Sequence, residues 1–408
     1  MTEWKEYKLG EIADVQTGPF GSQLHMSDYQ DEGTPIITVE HLGDNRIIHN
    51  NLPLVGEKDK NRLKKYVLAE GDIVFSRVGS VDRRAYVSAN EDGWMFSGRC
   101  LRVRPTQEVD SKFLSYYFGL EDFKETIRRI AVGATMPSIN TTILSNVVIS
   151  LPPIDTQQRI ASILSSLDDK IDLLHRENKT LETMAETLFR QWFIEEAKED
   201  WEEKHLSDYV IDTLGGDWGK ENPEGDFVKP VQCIRGTDIA DLNVGLAYKT
   251  PIRFVKESKY DKIHPKTGDI IMEISGGTES QSTGRVAYIN NDVIELFDYP
   301  LVFSNFCRLL RMEEKYTYFI YSYLQYLYKQ DEFFNLENGS SGIKNLDYKA
   351  LLYDLTYPMP SENRLIVEYN EKVSLYFRKI NKNKKQIQTL TQQRDGLLPK
   401  LMSGEVKI

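Results

Sequence analysis

The sequence contains two long stretches in which apolar residues recur at alternating spacings of four and three. The first follows Pro152 and Pro153 in LPPIDTQQRIASILSSLDDKIDLLHRENKTLETMAETLFRQWF, and the second follows Pro358 in YPMPSENRLIVEYNEKVSLYFRKINKNKKQIQTL. A sustained repeat of this kind predicts a coiled-coil helix, because it places one apolar row along one face. At 1.5 Å per residue, the first helix would be about 60 Å long.

Either helix alone would expose its apolar row to water. We therefore expect the two helices to pack on each other, antiparallel, since a folded domain must fit between them. Two unrelated core helices, or a coiled coil between two copies of the chain, are the alternatives. Asn178 lies in the first row, where a polar residue can fix the register at some cost in stability. The predicted helix-pairing residues are Ile160, Leu164, Leu167, Ile171, Leu174, Leu181, Leu188, Ile366, Val373, Phe377, Ile380 and Ile387.

The chain also repeats itself before each helix. GDIVFSRVG at 71–79 resembles GDIIMEISG at 268–276, and FSGRCLRVR at 96–104 resembles FSNFCRLLR at 303–311. The matches keep their order, and their offset drifts only from 197 to 207 residues. This order indicates two copies of one unit, a globular domain followed by a long helix. Antiparallel helices would then give an internal pseudo-twofold repeat, with the two domains at opposite ends of a rod.

The globular segments carry both strand and helix patterns. Short β-branched runs such as DIVFSRV, bounded by turn residues, predict strands, while SKFLSYYFGLEDFKETIRRIA has helical periodicity. The predicted fold class is therefore α/β, with two mixed α/β domains separated by two long antiparallel coiled-coil helices. The predicted segments are 1–152 for the first domain, 153–198 for the first helix, 199–358 for the second domain, and 359–408 for the second helix and tail.

Composition limits the cellular setting and the partners. No run of eighteen apolar residues exists, so no membrane span is expected. Cys100, Cys233 and Cys307 cannot form a fully paired disulfide framework, which favours a reducing, cytoplasmic location. The matched Cys100 and Cys307 are expected to be buried small hydrophobes. The net charge of −11 argues against a nucleic-acid binder, although 58–104 and 372–400 are locally basic.

Motifs for catalysis are missing from the sequence. No G-x-x-x-x-G-K-[ST] phosphate loop and no G-x-G-x-x-G turn occurs, and GTESQSTGR at 277–285 has the wrong spacing. No nucleophile elbow and no paired-cysteine zinc spacing occurs either. The chain is therefore expected to bind and organise, without a catalytic centre, a metal or a cofactor of its own.

The whole chain resembles the specificity (S) subunits of type I DNA restriction-modification enzymes. The resemblance is carried by LGEIADVQTGPFGSQL, GDIVFSRVGS and GATMPSINTTIL in the first domain, by both helix entries, and by the tail GLLPKLMSGEVKI. The second domain departs from the pattern, since IDTLGGDWGK stands where the first has VQTGPFGSQL. The resemblance implies two target-recognition domains, each reading half of a bipartite DNA site. It also implies that the paired helices set the spacer.

The resemblance also implies partners. These are double-stranded DNA, two S-adenosylmethionine-dependent methylation subunits docked on the helices, and ATP-driven restriction (translocase) subunits. The assembled complex would be an adenine methyltransferase and ATP-dependent endonuclease, while this chain would be non-catalytic. Two alternatives are a methyltransferase or nuclease with an unrecognised centre, and a coiled-coil scaffold protein without sequence-specific DNA binding.

Glycine-bracketed polar loops are the candidate DNA-binding segments. Arg, Lys, Asn, Gln, Ser and Thr side chains suit base edges and phosphates, and loops present such residues well. A solvated turn is the alternative for each loop. The candidates are Ser22, Gln23, Arg77, Ser80, Arg83, Arg84, Thr135, Ser138 and Asn140 in the first domain, and Arg235, Thr237, Thr278, Ser280, Gln281, Ser282, Arg285, Ser340, Ser341, Lys344 and Asn345 in the second.

We expect Arg84→Ala to weaken DNA binding, because it removes one cation from a candidate contact loop. The measurement is the affinity for target DNA at several salt concentrations. An unchanged affinity throughout would remove Arg84 from the interface.

Overall fold

The structure is a computed structural model that describes residues 4–244, 246–339 and 343–406. The chain forms two compact units. Unit 1 comprises Met1–Asp169 and Gln393–Ile408, and unit 2 comprises Lys170–Gln392. Both units are mixed α/β, as the sequence predicts. Each of the two long predicted helices is present and contributes a segment to both units.

Unit 1 contains ten strands among its described residues. They are β1 (Lys5–Lys8), β2 (Ala13–Thr17), β3 (Tyr29–Gln30), β4 (Thr34–Ile37), β5 (Leu54–Val55), β6 (Ile73–Ser76), β7 (Arg84–Tyr86), β8 (Met95–Phe96), β9 (Cys100–Pro105) and β10 (Val148–Leu151). The helices are α1 (Leu9–Ile12), α2 (Glu57–Arg62), α3 (Ser111–Tyr117), α4 (Glu121–Ile130), α5 (Thr141–Ser145) and the start of α6 (Ile154–Arg190). Short 3₁₀ turns lie at Met26–Asp28, Val39–His41, Lys64–Tyr66 and Ala89–Glu91.

Two four-stranded sheets organise unit 1. The first has the order β2-β9-β6-β7 and is antiparallel throughout. The second has the order β3-β5-β4-β8, in which β4 and β8 are parallel. The short antiparallel pair β1-β10 leads into α6. Sheets joined by both parallel and antiparallel pairs fit the mixed α/β class.

Strand β6 lies between two apolar cores. All four of its residues are buried. Ile73 and Phe75 pack with the helices and the α6 segment, while Val74 packs on the other side with residues of the second sheet. Successive side chains of a strand point to opposite faces, so one short strand joins both cores.

Unit 2 contains twelve strands among its described residues. They are β11 (Glu202–Lys204), β12 (Val210–Gly215), β13 (Phe227–Ile234), β14 (Ile252–Lys256), β15 (Ile270–Glu273), β16 (Ser275–Gly276), β17 (Val286–Tyr288), β18 (Leu301–Phe303), β19 (Cys307–Met312), β20 (Glu337–Asn338), β21 (Lys344–Leu346) and β22 (Tyr357–Met359). The helices are α7 (Asp238–Asn243), α8 (Glu257–Ile263), α9 (Asn291–Ile294), α10 (Glu314–Lys329) and α11 (Arg364–Met402). The 3₁₀ turns are Leu206–Tyr209, Ala247–Lys249 and Glu332–Leu336, and π-helical turns lie at Gln191–Glu195 and Ala350–Asp354.

The strand order of unit 2 confirms the internal repeat. The sheet β12-β19-β15-β17 has the order of β2-β9-β6-β7, and the pair β11-β22 corresponds to β1-β10. The parallel pair β13-β18 corresponds to β4-β8. Unit 2 adds a small sheet, β16-β21-β20. The weak sequence matches therefore reflect one topology used twice.

The repeated GDI motif has a structural cause in both units. Gly71 and Gly268 have φ of 90° and 98°, a region that favours glycine. The following carboxylates, Asp72 and Asp269, are both 1% exposed. Asp72 forms a two-bonded ion pair with Arg104 of β9, at 2.6 and 2.7 Å. Paired donors of this kind satisfy a buried carboxylate, which would otherwise be costly.

Unit 2 repeats this ion pair on its own strands. Asp269 pairs with Arg311 of β19 at 3.0 and 3.3 Å. The matched cysteines repeat as well, since Cys100 and Cys307 are both fully buried. Burial raises the pKa of each thiol to about 12. Both thiols are therefore protonated at neutral pH, as expected for small core residues.

Segments of α6 and α11 contact each other within unit 2. Asn383 donates from Nδ2 to Oδ1 of Asn178 at 2.8 Å, and both amides are buried. Ile171, Leu174 and Ile387 form a small apolar cluster. Further along α6, the Ala185 carbonyl accepts from the Tyr369 hydroxyl at 3.2 Å. Residue numbers thus rise on one helix as they fall on the other, so these segments run antiparallel.

Other predicted pairing residues pack mainly on the globular domains. Ile160 and Leu164 lie in the core of unit 1, and Ile366, Val373, Phe377 and Ile380 lie in the core of unit 2. The Phe377 ring stacks on Tyr318 with centroids 4.8 Å apart. The apolar row of α11 packs on unit 2 because the tyrosine-rich helix α10 covers it. Leu167, Leu181 and Leu188 are half-buried.

In the described part of the chain, no helix is long and apolar enough to cross a membrane.

A buried lysine on α11 makes the stability of unit 2 depend on pH. Lys384 is 3% exposed, and burial lowers its pKa from 10.5 to about 8, partly opposed by Glu182. Below pH 8 both folded and unfolded chains carry the proton, so the cost of burying the charge is present in full. Between pH 8 and 10.5 only the unfolded chain keeps it, so stability rises with pH.

We expect the free energy of unfolding to rise from pH 8 to 10 by at most about 1.4 kcal/mol per pH unit from this residue. Lys384→Met should be more stable than the parent protein at pH 7 and lack this component. Denaturant unfolding of both proteins across this range measures the difference. Equal slopes in both proteins would contradict the assignment.

Candidate nucleic-acid interface

Four segments of unit 1 meet at the end of β6. They are 17–23, 76–84, 97–100 and 131–140, and together they are termed loop face 1. The Arg77 amide donates to the Arg99 carbonyl at 2.8 Å, and the Ile139 amide donates to the Arg77 carbonyl at 3.0 Å. The Gly79 amide donates to the Pro137 carbonyl at 2.8 Å. These bonds bring together two of the three loops that the sequence predicts in this domain, along with the turn 97–100.

A close backbone contact holds the segment 17–23, which is the third predicted loop, against the turn 97–100. The Gly18 amide donates to the Cys100 carbonyl at 3.2 Å. A Cβ atom at Gly18 would lie 2.1 Å from the Ser97 carbonyl oxygen, so only glycine fits. Gly216 has the same role in unit 2, where a Cβ would lie 2.2 Å from the carbonyl oxygens of Phe303 and Ser304.

Arginines without carboxylate partners lie in loop face 1. The Arg77 guanidinium donates to the Gly98 carbonyl at 3.2 Å and lies 5.5 Å from the centre of the half-exposed Phe20 ring. Arg83 donates to the Leu42 carbonyl. Among the described residues, neither guanidinium has a carboxylate within ion-pair distance. Both guanidinium groups therefore keep a positive charge that contact with a phosphate or a base edge requires.

The polar candidates of loop face 1 differ in exposure. Ser22, Ser80, Thr135 and Asn140 are exposed, and the Asn140 side chain also caps α5 by accepting from the Ile143 amide at 2.8 Å. Gln23 and Ser138 are half-buried. Gln23 accepts from the Tyr66 hydroxyl at 2.7 Å, and Ser138 donates to the Val132 carbonyl at 3.1 Å.

Arg84 lies inside unit 1. It is 5% exposed, and its guanidinium donates to the Ser115 carbonyl at 3.0 Å and to Asp44 at 3.5 Å. Asp44 also faces Arg394 at 3.6 Å. Direct DNA contact by Arg84 stays a prediction, and in this position the side chain ties β7 to α3. A change at Arg84 would therefore also act on stability, because it would leave Asp44 with one partner fewer.

The equivalent loops of unit 2 use the same backbone bonds. The Ile274 amide donates to the Phe306 carbonyl at 2.9 Å, and the Leu346 amide donates to the Ile274 carbonyl at 3.0 Å. These are the counterparts of the bonds at Arg77. Loop face 2 is defined by the segments 234–238, 273–285, 304–307, 337–339 and 343–346.

The cations of loop face 2 are paired with carboxylates. Arg235 pairs with Asp238 and Arg285 pairs with Glu273, each at 2.7 Å, and Lys344 pairs with Glu337 at 2.8 Å. The hydrogen bonds that Arg235 and Arg285 donate to these carboxylates raise the pKa of both guanidinium groups. The two loop faces thus share a backbone arrangement but differ in available charge, since Arg77 and Arg83 of loop face 1 have no carboxylate partner in the described part of the chain.

The remaining candidates of loop face 2 are mostly exposed. Ser282 is the exception at 3% exposure, and its carbonyl accepts from the Tyr328 hydroxyl at 3.1 Å. DNA contact by the Ser282 side chain stays a prediction. Ser340 and Ser341 lie outside the described residues. The exposed candidates are Thr237, Thr278, Ser280, Gln281 and Asn345.

Two exposed loop residues are absent from the sequence-based candidates. Arg99 is exposed in loop face 1, and Phe306 is 50% exposed in loop face 2. Arg99 lies in the segment FSGRC and Phe306 lies in the aligned segment FSNFC. The turn residues of these segments give Arg99 and Phe306 equivalent positions in the two repeats. Among the described residues, no group of three or more metal-ligating side chains is close enough to hold an ion.

The fold and the paired loop faces agree with the comparisons to known proteins. Residues 1–183 and 198–391 each match the sequence model of the type I restriction modification DNA specificity domain. The chain therefore belongs to this family, as a non-catalytic DNA specificity subunit of a type I restriction-modification system. No catalytic cofactor is known for this family of specificity subunits.

Individual relatives are also named as specificity subunits of type I restriction enzymes. The chain is 26% identical over an alignment of 432 residues to the type I restriction enzyme MjaIX specificity subunit of Methanocaldococcus jannaschii, covering 100% of this chain and 94% of that protein. It is 28% identical over 202 residues to the HindI specificity subunit of Haemophilus influenzae, and this alignment covers 48% of this chain and 42% of that protein. The type I restriction-modification S subunit of M. genitalium has the same fold, with a TM-score of 0.59 and 17% identity. The superposition covers 98% of this chain and 96% of that chain.

We expect Gly18→Ala to lower the stability of unit 1 by about 1–3 kcal/mol and to weaken DNA binding, because the added Cβ forces the loops apart. Gly21→Ala is the control in the same loop. A Cβ there would meet no described atom within 4 Å, and its φ is not positive. Thermal unfolding and DNA affinity of both variants provide the measurement. Equal effects in the two variants would show that the close contact at Gly18 is unimportant.

Proposed function

We propose that loop face 1 and loop face 2 each read one half of a bipartite DNA site. One observation carries this proposal: the two units hold their loops with the same backbone hydrogen bonds, at 77 and 99 in one and at 274 and 306 in the other, but present different side chains. A shared scaffold with different loops suits two readers of different sequences.

The proposed readers are the target-recognition domains 1–152 and 199–358. Direct contacts come from the exposed candidates, because base edges and phosphates need accessible donors and acceptors. In loop face 1 these include Ser80 and Thr135 beside the unpaired Arg77 and Arg83. In loop face 2 the direct contacts come from the exposed Thr278, Ser280 and Gln281. Arg235, Arg285 and Lys344 can contact DNA only in competition with their carboxylates.

The segments 153–198 and 359–408 are proposed to form the coiled coil that sets the distance between the two half-sites. The antiparallel contacts of α6 and α11 in unit 2, including Asn178 with Asn383, support this role. A helix rises by a fixed length per residue, so paired helices can fix a spacer. Exposed apolar residues on these helices, Leu173, Met184 and Leu375, offer surface for docking two methylation subunits.

Partners complete the proposed activity. Double-stranded DNA is the ligand, two methylation subunits supply S-adenosylmethionine chemistry at adenines, and restriction subunits supply ATP-driven translocation and cleavage. The names of the relatives as restriction-enzyme specificity subunits support this assembly. The net charge of −11 favours a shared DNA clamp, in which the methylation subunits supply part of the positive surface.

The test is to express the chain with its methylation subunits in a methylation-free host and to map modified adenines across the genome. We expect a bipartite motif with a fixed gap. Exchanging residues 1–150 for those of a relative should change one half of the motif and leave the other half and the gap unchanged.

The reciprocal exchange of 199–358 is the control and should change only the other half. A motif in which both halves change after one exchange would contradict one reader per domain. An intact complex that binds S-adenosylmethionine but modifies no defined sequence would contradict the proposed function.

A further inference from the structure

One four-residue turn has the same place in both loop faces. It is Ser97–Cys100 in unit 1 and 304–307 in unit 2. The Cys100 amide donates to the Ser97 carbonyl at 2.9 Å, and the Cys307 amide donates to the Ser304 carbonyl at 3.0 Å. Bonds of this kind close a tight β-turn. The third residue of the turn is Arg99 in unit 1 and Phe306 in unit 2.

Further backbone bonds fix this turn from both sides. The amides of Ser97 and Ser304 donate to the carbonyls of Ile37 and Ile234 at 2.8 and 2.9 Å. The carbonyl of the third residue accepts from the amide at the end of β6 or β15, as described above. The Cα positions of Arg99 and Phe306 are therefore held by the same set of bonds, and only the side chain differs.

Neither side chain has a clear role in the fold. Arg99 is exposed, and among the described residues no carboxylate lies within ion-pair distance of its guanidinium. The Phe306 ring is 50% exposed. One rigidly held position thus carries a guanidinium in unit 1 and an aromatic ring in unit 2, and both side chains are accessible to a ligand.

The neighbouring position shows the same contrast. Arg77 in loop face 1 corresponds to Ile274 in loop face 2, by the shared backbone bond to the turn. Loop face 1 thus presents guanidinium groups at two adjacent positions, where loop face 2 presents apolar groups. In the major groove, arginine pairs with the O6 and N7 atoms of guanine, whereas apolar side chains contact the C5-methyl group of thymine.

We propose that residues 99 and 306 are equivalent specificity-determining positions. Arg99 recognises a guanine in the half-site of unit 1, and Phe306 contacts a thymine methyl group in the half-site of unit 2. This inference rests on the proposed function of the two loop faces, and it adds the base class that each face selects.

The first experiment maps adenine methylation by the assembled complex carrying Arg99→Ala, Arg99→Lys or Phe306→Ala. Arg99→Ala should relax one guanine in one half-motif, with discrimination falling by roughly 5- to 100-fold. Lysine keeps the charge and some donors but lacks the rigid planar fork of arginine, so Arg99→Lys should keep most of the affinity and lose less discrimination than Arg99→Ala. Phe306→Ala should relax one thymine in the other half-motif.

The second experiment removes the matching atoms from the DNA. Replacing the relaxed guanine by 7-deazaguanine should weaken binding of the parent complex but not of the Arg99→Ala complex. Replacing the thymine by uracil, which lacks the methyl group, should weaken binding of the parent complex but not of the Phe306→Ala complex. Lys5→Ala and Ile211→Ala, which change exposed residues outside the loop faces and outside the basic segments, are the matched controls and should behave as the parent.

The outcomes separate this inference from the proposed function. A bipartite motif that is unchanged in all three variants would overturn the inference and leave the proposed function standing. A uniform loss of affinity without a change of base preference would also overturn it, because it would place both side chains on the phosphate backbone. A parent complex without any bipartite motif would instead contradict the proposed function.

Discussion

The burial of one short strand on both faces determines how each unit is built. In unit 1 this strand is β6, whose Phe75 and Val74 pack into two different apolar cores, and in unit 2 it is β15, whose four residues are all buried and whose apolar residues belong to one core. Each strand begins after a glycine with positive φ and a buried aspartate paired to arginine. Its other end leads directly into the loop face. The position of the loops is therefore fixed by core packing and by one buried ion pair.

This arrangement separates the scaffold from the surface. The backbone bonds at 77 and 99 recur at 274 and 306, so loop side chains can change without moving the main chain. The two faces have diverged in charge, since the cations of loop face 2 are held by Asp238, Glu273 and Glu337, whereas Arg77, Arg83 and Arg99 of loop face 1 have no such partners among the described residues. A specificity subunit needs this combination, because its two readers must share a geometry but differ in sequence preference.

Most of the architecture could be predicted from the sequence, because it follows from periodicity and internal repetition. The two long helices, the repeated topology and the mixed α/β class depend on patterns that extend over many residues. The surroundings of single residues could not be predicted in the same way. The row with Ile366 and Phe377 has the spacing of a helix pair, but spacing does not show that the tyrosines of α10 cover it.

The burial of Arg84 has a similar explanation. An arginine in RRAYV is expected at the surface, and its burial depends on Asp44 and Ser115, which are distant in sequence. Arg99 and Phe306 lie outside the polar, glycine-bracketed loops that predict DNA contacts, in a short turn between two strands. The comparison of the two repeats contains that signal, once the structure shows that the turn is fixed by the same bonds in both units.

The two loop faces are proposed to contact different halves of one DNA site. Site-specific photocrosslinking tests this proposal most directly, with a photoreactive amino acid at Ser80 or at Thr278 in the complex assembled on its target DNA. We expect position 80 to crosslink to one half-site and position 278 to the other. Crosslinks from both positions to the same half-site, or to the spacer alone, would contradict it.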